Sequence, residues 1–284
     1  SDSWYKVDNV AKVFLATASQ RDPRVFRISC TLNEEIDPDT LNEALRSTAQ
    51  EWPQFQVTLH RGLFWHYFES TDQLPTAQPE TKAPCAPLYT PERRNKLIYR
   101  VTYFGARINL EMFHAITDGN GGLLYLKSIV RNYLALRHPG EMENVPSPNS
   151  ASAGDMAQDS FRNFYEGTKR KKSAKKPKVY RPHGFLPYSQ LQFFEGHLSS
   201  KQVLDRSHAL GVSMTSYLGA SFMLAIYHDM PALERKKPIC ISLPVNLRNY
   251  YPSETARNFF NSVCIAHTLT PEDTLETVAP VFDA

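Results

Sequence analysis

Cysteine is scarce and scattered. Cys30, Cys85, Cys240 and Cys264 form no C-x-x-C pair, which argues against a zinc knuckle, a redox motif and the dense disulfide frame of a small secreted domain. Four free thiols in a reducing cytoplasm are expected. Familiar motifs are missing too. GNGG at 119–122 does not meet G-x-G-x-x-G, no G-x-x-x-x-G-K-[ST] or H-E-x-x-H occurs, and Ser213 in GVSMT is not in a G-x-S-x-G elbow. Dinucleotide binding, P-loop chemistry, zincin and α/β-hydrolase readings lose their support. The start, SDSWYKVDNV, lacks the basic and apolar regions of a signal peptide, and no apolar run is long enough to cross a bilayer, so no integral membrane segment is expected. Charge asymmetry is absent as well: the net charge of +3 arises from residues of both signs and points to neither nucleic acid nor a membrane surface. What remains is a 284-residue chain with 42% hydrophobic composition, long enough for a substantial core in one large domain or two lobes.

The apolar rhythm gives the organisation. DPDTLNEALRSTAQEWP from Asp37 places Leu41, Ala44, Leu45, Thr48, Ala49 and Trp52 at helical spacing, with Asp37 as cap, Pro38 at the first helical position and Pro53 as stop. QVTLH and LFWHYF flank Arg61-Gly62 and read as a hairpin. The proline-rich stretch 71–92 is expected to wrap the surface without regular structure. LIYRVTYF and RINLEMFH, bounded by Gly105, read as paired strands, so that His114 ends a strand. Leu123, Leu124, Leu126, Ile129, Val130, Tyr133 and Leu134 then recur with helical period.

From about Arg137 to Arg181 the chain turns polar and includes KRKKSAKKPK at 169–178, read as a solvated connection, with Phe161, Phe164 and Tyr165 as the part that packs. LSSKQVLDRSHALG and TSYLGASFMLAIYHDM read as helices ended by Gly211 and Pro231. PICISLPVNLR and NFFNSVCIAHTL read as two buried strands joined by NYYPSETAR. Alternating helices and strands without an internal repeat predict an α/β class with two lobes: 1–165 carrying the strand-to-helix corner, a basic linker at 166–182, and 183–284 as the start of a second lobe.

The corner itself reads FHAITDGNGG at 113–122. A strand-end imidazole is placed to project into a cleft, and its near-neutral pKa suits removal of a proton from a hydroxyl or amine. Asp118 bonds local amides or pairs with an arginine and so braces the loop. Gly119 gives backbone freedom where a Cβ would crowd, and the helix start that follows offers amide donors to developing negative charge. On these residues alone the pair serves equally well as base and brace or as plain turn chemistry.

HAITDG at 114–119 resembles the H-x-x-x-D-G signature of the superfamily that contains chloramphenicol acetyltransferase, the condensation domains of nonribosomal peptide synthetases, and alcohol or polyketide-associated acyltransferases. EWPQFQVTL, GVSMTSYLGASFMLAIY, PVNLR and RNFFNSV resemble further segments of that superfamily in order and spacing, so the resemblance spans nearly the whole chain. It implies two acetyltransferase-like lobes, each with a mixed sheet flanked by helices, and a tunnel between them. It also implies that His114 deprotonates an alcohol or amine acceptor as it attacks a thioester, with no acyl-enzyme. Asp118 would be structural and paired with Arg248 of PVNLR, an arginine from the second lobe, while Asn258 and Ser262 would face the tunnel and assist the oxyanion. No bound cofactor or metal is implied; acyl-coenzyme A is the co-substrate. Phe113 stands where condensation domains carry a first histidine, which tilts the donor toward acyl-coenzyme A rather than an acyl carrier protein. DTLETVAPVFDA stops inside an expected helix, where the family's second lobe continues, so that lobe is expected to be incomplete. A carrier-fed condensation-type domain and a non-catalytic binding module are the alternatives.

Overall fold

The computed structural model describes residues 4–81, 83–148, 151–164, 178–184 and 194–283. They form two compact units: one takes in the described residues up to 164 together with Leu247–Phe259, the other takes in 178–184, 194–246 and the residues from Phe260 onward. Tyr165 and all of the basic run except Lys178 lie outside the described residues.

The first unit contains strand β1 (Trp4–Lys6), helix α1 (Asn9–Thr17), β2 (Val25–Thr31), α2 (Pro38–Glu51), β3 (Val57–Arg61), β4 (His66–Ser70), a two-residue β5 (Gln78–Pro79), β6 (Tyr99–Phe104), β7 (Arg107–Phe113), α3 (Gly119–Arg137), and the short α4 (Ala153–Met156) and α5 (Ser160–Phe164). Helix α2 starts where its cap predicts, because the Asp37 carboxylate accepts the Thr40 amide at 2.8 Å. Leu41, Ala44, Leu45, Thr48 and Ala49 form its buried face, and each fully buried leucine contributes roughly 1.5–3 kcal/mol. Trp52, Phe55 and Tyr125 stack edge and face at 5.1–5.6 Å in the same core, with the Trp52 indole donating to Ser128 Oγ at 3.1 Å.

Strands β1, β4 and β3 make one antiparallel sheet, and β2, β7, β6 and β5 make a mixed one in which only the β5–β6 pair is parallel. Along β7 the two-residue period sends Ile108, Leu110 and Met112 into the apolar core. Between them the buried Glu111 accepts from Arg27 at 2.6 and 2.9 Å, from Arg100 at 2.9 Å and from the Cys85 amide at 2.7 Å. Arg27 and Arg100 are its register partners on the two flanking strands, so the sheet places two guanidinium forks against one carboxylate.

The hairpin differs from the sequence expectation. Its second strand begins at His66 rather than Leu63, and Leu63, Phe64 and Trp65 form an exposed turn tip closed by Gly62 N–H donating to Trp65 O at 2.7 Å. Three consecutive large apolar residues read as strand, yet no alternation set one face of them inward.

The second unit holds α6 (Ser200–Ala209), α7 (Met214–Asp229), the antiparallel pair β8 (Ile239–Asn246) and β9 (Phe260–His267), and the short α8 (Leu275–Val278). Gly219 on α7 leaves room for the Phe282 ring, which a Cβ there would meet at 2.6 Å. The pair is not buried as expected: Val263 and Cys264 are exposed, and only one face, with Ile239, Ile241, Leu243 and Ile265, joins the core of the unit. A two-stranded ribbon with a single covered face shows the apolar runs of buried strands without their burial. None of the four cysteines is in a disulfide among the described residues. Among the described residues no single helix is long and apolar enough to cross a membrane; α6 with α7 meets that length and composition only across an 88° bend.

Candidate active site

His114 directly follows β7. Its amide donates to Arg24 O at 2.8 Å, which ties the corner to the start of β2. Its ring lies flat on Phe14 of α1, with centroids 4.1 Å apart and planes 18° apart, and Phe26 of β2 closes in at 5.0 Å. Asn258 Nδ2 donates to the His114 carbonyl at 2.8 Å, which leaves Asn258 Oδ1 facing Nδ1 of the ring at 3.3 Å. An oxygen there calls for a proton on Nδ1, and in that neutral tautomer the lone pair sits on Nε2. Burial pushes the imidazole pKa below its ordinary 6.5; hydrogen bonds to backbone oxygens and to Asn258, and the charge of Asp118, oppose that shift. The neutral form is thus the favoured one near pH 7.

Asp118 caps α3, and its two oxygens divide the work. Oδ1 accepts the Gly121 amide at 3.1 Å, while Oδ2 accepts Arg248 Nη1 and the Phe259 amide, each at 2.8 Å. The structure therefore brings Asp118 and Arg248 together, both nearly buried. Arg248 also donates to Thr255 O at 2.7 and 3.0 Å and to Arg257 O at 2.7 Å. These bonds explain why Leu247–Phe259 belongs to the first unit, although the sequence assigns it to the second lobe. The segment is fastened at further points: Thr117 Oγ1 donates to Ala256 O at 2.5 Å, Ala256 N to Met156 O at 2.8 Å, and Arg257 pairs with the buried Asp8, the cap of α1, at 3.3 Å.

The glycine requirement falls elsewhere than expected. A Cβ at Gly119 would meet nothing within 4 Å, and the residue is exposed at the first position of α3. Gly121 is the constrained one, since a Cβ there would lie 2.1 Å from Thr117 Oγ1 and 2.3 Å from Ala256 O; at Gly122 it would lie 2.8 Å from the Phe26 ring. Gly121→Ala is expected to destabilise by about 1–3 kcal/mol, because backbone cannot yield as a flexible side chain does. Gly119→Ala is expected to be neutral or to stabilise by about 0.4–1 kcal/mol. Thermal melts of the two variants check both.

Sequence reasoning placed His114, Asp118, Arg248 and Asn258, and these four meet. Ser262 is exposed on β9, in the other unit, which places it outside the unit that holds His114. Missed were Phe14, Phe26, Thr117, and the pair of Asp8 with Arg257. The available signal for α1 was Asp8 followed by the apolar run VAKVFLA; nothing in the sequence announces that its Phe14 meets the imidazole. Among the described residues no three His, Cys, Asp or Glu side chains converge as a metal site would need.

No known family's profile matches the sequence, and no curated protein does. Solved structures do match. Polyketide synthase associated protein 5 from Mycobacterium tuberculosis superposes with a TM-score of 0.63 at 16% identity, covering 100% of this chain and 73% of that one. F. sporotrichioides TRI101, complexed with coenzyme A and T-2, gives 0.65 at 13% identity, covering 99% and 73%. The first condensation domain of the calcium-dependent antibiotic synthetase gives 0.61 at 16%, covering 99% and 72%. The portion of these structures without a counterpart here fits the incomplete second lobe expected from the sequence. Likeness at such identities carries the fold, and the chain has the α/β fold of these three proteins, the fold that its H-x-x-x-D-G corner implied.

Proposed function

We propose that the chain is an acyltransferase that moves an acyl group from a thioester, acyl-coenzyme A in the first instance, to an alcohol or amine. Nε2 of His114 takes the acceptor's proton as the acceptor oxygen or nitrogen attacks the thioester carbonyl; the C–S bond breaks as the tetrahedral intermediate collapses, and the thiol leaves with a proton. No covalent acyl-enzyme forms. The observation that carries this reading is the bond pair between Asn258 and His114, which supports the tautomer whose lone pair is on Nε2. TRI101 structures with coenzyme A and with ethyl coenzyme A among the fold neighbours support the donor class. Both ends of the Asn258 amide are engaged by His114, so we assign Asn258 to orienting the ring rather than to the oxyanion. Asp118 and Arg248 hold the corner in place.

The pH dependence follows from the direction of the His114 shift. The active form is neutral imidazole with a pKa below 6.5, so kcat/KM is expected to stay flat above neutrality and to fall as pH drops through that lowered value. The same shift makes protonation favour the unfolded chain, and stability is lost as pH falls below the ordinary histidine range. Asn258→Leu is expected to move the acid limb of the rate profile and to lower kcat more than it raises KM, because the ring loses the side-chain partner at Nδ1. An unchanged limb in that variant would remove Asn258 from the reading.

Condensation domains among the neighbours support a second donor, a carrier-protein thioester. Phe113, at the place of their first histidine, is buried and stacked on Tyr89 at 5.9 Å, which favours coenzyme A. Thiol release measured with acetyl-coenzyme A and with a phosphopantetheinyl-loaded carrier separates the two donors.

A further inference from the structure

A cleft lies in the second unit. It holds about 520 Å³ and is lined by Lys178, Val179, Arg181, His183, Glu234 and Lys237, within the size range of small-ligand pockets. One wall is fixed: Tyr180 is buried in the core of the unit and its amide donates to Pro238 O at 2.9 Å, while Lys178, Arg181 and His183 around it are exposed. Among the described residues Glu234 is the one carboxylate in the lining, and the Lys237 ammonium already engages it. That contact leaves Lys178 and Arg181 as a charge excess beside His183, and Arg235 and Lys236 follow in sequence. Like charges gathered around one concavity raise the local concentration of anions, and a guanidinium fork beside an ammonium suits phosphate oxygens.

We propose that this cleft is a binding site for a phosphate-bearing ligand of nucleotide size, with Lys178 and Arg181 on the phosphates and His183 as a third donor. The phosphate site rests on this lining alone and does not require acyl transfer at His114. A free nucleoside diphosphate and the nucleotide end of a coenzyme A thioester share the required chemistry, and the test distinguishes them.

Calorimetric titration of the full chain with ADP, adenosine 3′,5′-bisphosphate and adenosine is the experiment. Both phosphates are expected to bind, adenosine is not, and raising the salt concentration is expected to weaken both. Preference for the bisphosphate assigns the coenzyme A type of ligand, and preference for ADP assigns the free nucleotide. Lys178→Glu with Arg181→Glu is expected to weaken binding by about tenfold or more with an unchanged melting temperature, and Arg181→Gln to weaken it less. Lys201→Glu, an exposed charge on α6 outside the cleft, should leave binding unaltered. Binding of adenosine as tight as that of the phosphates, equal binding by the charge-reversed and parent chains, or no binding of either phosphate would overturn the proposal.

Discussion

Replacing His114 by glutamine is expected to lower turnover by about 10²–10⁴-fold, the usual range for loss of a positioned general base, with little change in melting temperature. Glutamine keeps a planar polar group between Phe14 and Asn258 but cannot take up a proton near pH 7. His114→Ala is expected to lose as much turnover and some stability too, because it removes a ring that lies 4.1 Å from Phe14 and 5.0 Å from Phe26. The contrast separates proton transfer from packing. A glutamine variant that turns over within a few fold of the parent would assign the ring to structure alone.

Arg248→Met should act the other way round, on the fold first. Its guanidinium joins Asp118 to two carbonyls, those of Thr255 and Arg257, in a segment that also holds His114 through Asn258. Removal leaves the Asp118 carboxylate buried with one fewer donor and takes the guanidinium donor from the Thr255 and Arg257 carbonyls. Breaking a buried pair from one side costs about 3–5 kcal/mol, so a large fall in melting temperature is expected, with activity falling alongside. Arg248→Lys should recover little, since an ammonium cannot span the fork that the guanidinium fills. In a double-mutant cycle with Asp118→Asn, the two losses should add up to more than the loss in the double variant, because both remove the same interaction. Simple additivity would place Arg248 outside the brace.

The corner was legible because local chemistry dictates it. Asp118 is a good helix cap whatever surrounds it, and the apolar periods of β7 and α3 meet at that residue. Helix α2 was legible for the same reason, with Asp37, Pro38 and five inward positions in agreement. Long-range partners were not. That Arg248 belongs to the unit of Asp118 depends on the backbone path of 247–259, which carries no periodic signal, and the family resemblance supplied the pair while placing its arginine in the second lobe. The glycine error shows how local reasoning fails: Gly119 stands next to the carboxylate and invited a steric role, yet its surroundings are open. Gly121 is constrained by Ala256 O, 135 positions away in the chain. Phe14 was invisible for a like reason, since an apolar residue on a short helix does not declare which ring it meets. The exposed turn at Leu63–Trp65 and the half-covered ribbon of β8 and β9 show the limit of reading burial from composition.

Thiol release from acetyl-coenzyme A and longer acyl thioesters, measured over a panel of alcohols and amines with the parent chain and His114→Gln side by side, tests the central claim most directly. Acceptor-dependent release that is lost in the variant, while its thermal melt stays in place, is the predicted result. Release at the same rate in both chains, or none from any thioester with any acceptor, would contradict it.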